Sequence, residues 1–111
     1  RITMSVQKEF LCFVLEQLSD LEDLSYRSMM GEYVLYYRGK IAAYLCDDRL
    51  LVKPVDAAKA LLPDAPAEAP YEGAKEMLLV ENLENRECLV RLFQEMYPEL
   101  PLPKAKTKRI H

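Results

Sequence analysis

The stretch YRSMMGEYVLYYRGKIAAYLCDDRLLVKP, residues 26–54, decides the fold. Three short apolar and aromatic runs, 26–30, 33–38 and 41–46, are separated by Gly31-Glu32 and Gly39-Lys40. A fourth run, 50–54, follows Asp47-Asp48-Arg49. Short strands with polar or glycine corners at regular spacing read as an antiparallel meander. Side chains alternate between the faces of a strand. Tyr33, Leu35 and Tyr37 therefore share one face of their run, and Val34, Tyr36 and Arg38 the other. Ile41, Ala43 and Leu45 separate from Ala42, Tyr44 and Cys46 in the same way. Pro54 cannot donate to a ladder, so it ends the fourth strand or places it at an edge.

Upstream, residues 5–20 read as a helix with Ser5 as its cap, and residues 1–3 are set aside. Val6, Phe10, Leu11, Phe13, Val14, Leu15 and Leu18 cover an arc of roughly 200°, wider than one buried face requires. Such a helix lies deep against a sheet or serves a second interface. Downstream come a short helix at 55–62, a proline-rich loop at 63–75 and a strand at 76–81. A last helix, 82–98, has Asn82 as cap, Leu89, Leu92, Phe93 and Met96 on its apolar face, and Pro98 after its end. The order is helix, four strands, short helix, strand, helix. It predicts an α+β domain with helices packed on an antiparallel sheet of about five strands. The domain is expected over 1–103, and the basic tail 104–111 is expected to be disordered.

The chain has 111 residues, half of them apolar and 30% charged, which suits one soluble domain. No apolar run approaches the roughly 20 residues of a membrane span, and no leader segment is visible, so a cytoplasmic location is expected. Cys12, Cys46 and Cys88 are far apart and odd in number, and are expected as free, mostly buried thiols. Asp47 and Asp48 beside Cys46 would raise its pKa. The net charge of −3 conceals an acidic body, because the tail holds four basic residues and no acidic one. An acidic body is poorly suited to a phosphate backbone.

Little in the chain points to catalysis. His111, the last residue, is the only histidine, which removes His-based triads and zinc sites. Gly31, Gly39 and Gly73 are too scattered for a phosphate loop. Asp47-Asp48 reads as a turn rather than a cation site. Glu81, Glu84 and Glu87 suit the start of a helix. Tyr33, Tyr36, Tyr37 and Tyr44 could form a base-stacking platform, but strand packing explains them better on an acidic body. Arg27 is expected as a partly buried strand arginine paired with Glu32 or Asp20.

One element is more specific. Ser25-Tyr26-Arg27-Ser28-Met29-Met30-Gly31-Glu32-Tyr33-Val34-Leu35-Tyr36 resembles the N-terminal domain of the TfoX/Sxy family of bacterial competence regulators. The resemblance continues through Gly39, the run Ile41–Leu45, the Asp47-Asp48 corner and Leu50-Leu51-Val52-Lys53. It reaches Tyr71, Lys75 and Met77 and covers about residues 9–98. Met30 stands where the family has phenylalanine, and Val34 where it has glycine. The resemblance implies a secretion-chaperone-like α+β fold with helices on one side of the sheet. Full-length members also carry a C-terminal domain and assist transcription of DNA-uptake genes with the cyclic-AMP receptor protein. The implied function is a non-enzymatic regulatory protein-interaction domain, with a transcriptional protein as partner. Self-association into a homodimer is expected as well. The alternative is a nucleic-acid-binding module using the strand tyrosines and the tail. No catalytic, cofactor or metal residue is expected. The motif residues, structural or partner-binding, are Arg27, Met29, Gly31, Tyr33, Tyr36, Gly39 and Lys53.

Overall fold

A computed structural model describes residues 2–29, 32–70 and 72–101. The deciding stretch forms four consecutive antiparallel strands: β1 (Leu24–Met29), β2 (Glu32–Tyr37), β3 (Lys40–Cys46) and β4 (Arg49–Val52). Glu32 and Lys40 thus begin strands rather than sit in turns. Two corners explain the regular meander. Arg38 and Gly39 have φ of 53° and 84°, and Asp47 and Asp48 have φ of 50° and 59°. Each pair closes a hairpin, between Tyr37 and Lys40 and between Cys46 and Arg49. Two successive left-handed residues match the right-handed twist of the strands they join, and glycine and aspartate tolerate that region best.

The chain then leaves the sheet as α2 (Asp56–Leu61) and returns as β5 (Ala67–Glu68) and β6 (Met77–Leu79). The final order is β1-β2-β3-β4-β6-β5, antiparallel throughout. The sheet has six strands rather than about five. The extra strand is the two-residue β5 inside the segment expected to be loop, between Pro66 and Pro70, too short to leave a pattern. Because β6 inserts beside β4, the fourth strand is interior. Pro54 therefore ends that run instead of marking an edge.

All three helices cover one face. Leu11 and Val14 from the first helix, Leu18 from the turn after it, Ala58 from α2, and Leu89, Leu92, Phe93 and Met96 from the last share a core with Leu35, Leu45, Leu50 and Val52. The first helix, α1, spans Ile2–Gln17, so it begins before Ser5, which lies within it rather than capping it. It ends three residues early, where Leu18, Ser19 and Asp20 turn and Leu21 N–H bonds back to Leu18 O. Part of its broad apolar arc stays outside: Phe13 is 39% exposed, and Phe10 and Leu15 are partly buried.

The last helix, α3, spans Arg86–Met96 and continues as one 3₁₀ turn, Tyr97–Glu99, which includes Pro98. Its cap is Asn85, not Asn82: the Asn85 side chain accepts from Cys88 N–H at 3.1 Å. Asn82 Oδ1 instead accepts from Glu84 N–H at 3.3 Å, holding the approach to the helix. Two asparagines three residues apart offer the same signal, and only the geometry distinguishes them. Gln17 Nε2 donates to Leu83 O at 2.8 Å, and Arg86 lies 3.7 Å from Asp20, so the end of α1 is tied to the start of α3.

Candidate interaction surface

Cross-strand register sorts the motif residues onto two faces. Arg27 opposes Val34, Val34 opposes Tyr44, Tyr44 opposes Leu51, and Leu51 opposes Leu79. Opposed residues share a face, so this row crosses β1 to β6 on the side without helices. Alternation places Met29, Tyr36 and Lys53 there as well. Tyr33 goes to the other side. It packs on the helix-covered core and meets Tyr26 edge to face, with ring centroids 5.8 Å apart. Tyr37 is buried there too, 6.5 Å from Phe93 and 5.5 Å from Tyr97. The four strand tyrosines therefore divide between two faces. Ala42 joins the main core although Tyr44 does not, because the register skips between Leu35 and Tyr36 and leaves Ala42 unopposed by β2.

The helix-free face is not uniformly polar. Cys46, Leu51 and Met77 are buried together, with Tyr44 and Leu79 packed beside them. No helix residue belongs to this cluster. Part of its cover is an ion pair: Arg49 on β4 reaches Glu68 on β5, past the intervening β6. Arg49 Nε also donates to Cys46 O at 3.3 Å, and its guanidinium lies 3.8 Å from Asp47. Burial pushes the Cys46 thiol up; Arg49 opposes this, and Glu32 and Asp47 add to it. The aspartate effect expected from sequence is present but secondary to desolvation. Glu32 is raised too, first by burial and then by Asp47, against the pull of Arg49. Lys53 is lowered by burial and by nearby Lys75. Low-pKa thiolates need cationic surroundings without such burial, so Cys46 is a packing residue.

Two of the three cysteines depart from expectation. Cys12 and Cys88 are exposed, because the helix positions they occupy face away from the sheet; only Cys46 is buried. Arg27 departs as well. It is exposed, and neither proposed acid is its partner: Asp20 pairs with Arg86, and Glu32 lies toward Asp47 and Arg49. Among the described residues, no strand lies outside β1 to bury Arg27. Gly39 holds its turn at positive φ, and Met77 is 4% exposed. Gly31, Tyr71, the tail 104–111 and His111 lie outside the described residues.

The exposed side chains of the motif are thus on β1, and Gly39 is exposed at its turn. The burial of β1 falls from partly buried Leu24 to five exposed residues, with Tyr26 48% and Met29 43% exposed. Beside it, Leu15, Leu18, Leu21, Leu24 and Tyr26 line an open groove of about 520 Å³ between α1 and the strand. Sequence reasoning found the motif but missed that its first strand is an edge. Edge position depends on where β5 and β6 return, which no local pattern in 24–29 records. Among the described residues, no helix is long and apolar enough to cross a membrane, and no group of three or more His, Cys, Asp or Glu is placed to hold a metal.

Comparison with known proteins agrees with the motif. The family profile of the TfoX N-terminal domain matches residues 16–95. The chain is 32% identical over 109 residues to a protein of Spirochaeta aurantia described as an uncharacterized 12.7 kDa protein in the trpE 5' region, covering 95% of each chain. No solved structure matches.

Proposed function

The chain belongs to the TfoX N-terminal domain family, and from that premise we propose that it is a non-catalytic regulatory domain that works by protein–protein contact. The observation that carries this reading is β1: a six-residue edge strand whose exposed side chains include Arg27 and Met29 of the family motif. An unprotected edge of that length offers main-chain donors and acceptors to another chain. The family resemblance supports a role in regulating competence genes, with a transcriptional protein downstream. The buried thiol and the division of the tyrosines support binding over catalysis or base stacking.

The test is gene expression. Deletion of the gene in the source cell should change transcript levels of DNA-uptake genes, and restoring the wild-type chain should reverse this. Restoring Arg27→Glu, an exposed substitution that leaves the core intact, should not. Unchanged transcripts in the deletion strain across growth phases would contradict the regulatory reading.

A further inference from the structure

We propose that β1 pairs with β1 of a second copy, antiparallel about a two-fold axis at Tyr26, to join two sheets into one of twelve strands. This deepens the reading of the domain as an interaction module and rests on it.

Arg38 N–H donates to Asp23 O at 2.9 Å, so position 23 bonds toward β2. In an antiparallel pair the bonded positions alternate. Ser25, Arg27 and Met29 therefore also direct N–H and C=O inward, while those of Leu24, Tyr26 and Ser28 point outward. That outward set has a symmetry of its own. Reflection about Tyr26 exchanges Leu24 with Ser28 and leaves Tyr26 opposite itself. A second β1 in this register satisfies all three positions on both chains, with about six main-chain hydrogen bonds. Centring the axis on Ser25 would leave Ser28 unpaired. Centring it on Arg27 would set two guanidinium groups face to face.

Side chains agree with that register. Tyr26 leans to the helix-covered side, where it meets Tyr33 and lines the groove with Leu15 and Leu24. Two Tyr26 rings brought together at the axis would extend this apolar surface across the junction. On the other side Arg27 would oppose Ser25 of the second copy directly, and the two Arg27 side chains would be diagonal neighbours rather than face to face. β1 also has little of the usual protection of an edge: it holds no proline, no lysine and no bulge against β2, and Arg27 is its one charge. The opposite edge is β5, two residues long with Pro66 and Pro70 close by. One open edge and one blunt edge favour a closed pair over a growing fibre.

Sedimentation from micromolar to millimolar protein tests this, using wild type, Ser28→Pro and Tyr26→Lys. Proline at 28 removes an outward N–H and leaves the bonds to β2 intact; lysine at 26 guards the edge. Wild type should sediment at twice the mass of the 12.9 kDa chain. Both variants should sediment as monomers with unchanged circular dichroism. A wild-type monomer at the highest concentration, a dimer that survives both substitutions, or open-ended growth would overturn the proposal. If a monomeric wild type still complements the gene deletion, self-pairing falls and the regulatory reading stands.

Discussion

Gly39 shows how much one residue can set. Its φ of 84° fixes the β2–β3 corner, and a side chain added there would meet nothing within 4 Å. Gly39→Ala therefore costs backbone strain alone, about 1 kcal/mol, read from the midpoint of urea unfolding. Asn85→Ala removes the α3 cap and should cost about 1 kcal/mol, whereas Asn82→Ala should cost less, since its bond closes only a local turn. Glu32 gives a pH signature. Its folded pKa lies above the ordinary 4.5, so between the two values the folded state holds more proton than the unfolded one. Stability then falls as pH rises through that window. Glu32→Gln should raise the thermal midpoint at neutral pH, and the gain should vanish below about pH 4.

At the scale of elements, two phenylalanines separate core from surface. Phe93 on α3 is fully buried against the sheet, and Phe13 on α1 is 39% exposed. Phe93→Ala should cost about 3–5 kcal/mol, a large share of a small domain's stability, and Phe13→Ala under about 1 kcal/mol. Calorimetry of both variants checks the contrast. The helical wheel of α1 allows either deep burial or a second interface, because seven apolar residues span more arc than one sheet face can cover, and it does not single out Phe13. The four-strand meander was legible, since its glycine and aspartate corners impose the turn type locally. β5 was not, because two residues between prolines carry no period. The boundaries of α1 and α3 were missed for a related reason: Ser5 and Asn82 are good caps by type, but the local cap of α3 is at Asn85, and tertiary ties at Gln17 and Arg86 join the end of α1 to the start of α3. Of the candidate surface, the residues could be read from the motif, but their exposure could not.

At the scale of the whole molecule, the sheet is a barrier with two different sides. Helices seal one side with a continuous core. The other carries a small apolar cluster partly covered by the Arg49–Glu68 pair, and there Arg27, Met29, Tyr36 and Lys53 lie, among the described residues, with no helix above them. Arg49→Met should cost little or nothing at the edge pairing itself but loosen β5, seen as faster amide exchange at 67–68, because the tie across β6 is lost. A two-fold axis through Tyr26, perpendicular to the sheet, would put both helix-free faces on the same side of the dimer. Two copies of Arg27 would then flank the junction as one surface for a downstream partner.

The most direct measurement is amide exchange along β1, residue by residue, at low and high protein concentration. In the separated chain, the inward amides of Ser25 and Arg27 should be protected and the outward amides of Leu24, Tyr26 and Ser28 should exchange fast. As concentration rises, the three outward amides should gain protection together. Outward amides that exchange at one fast rate at every concentration would contradict the account.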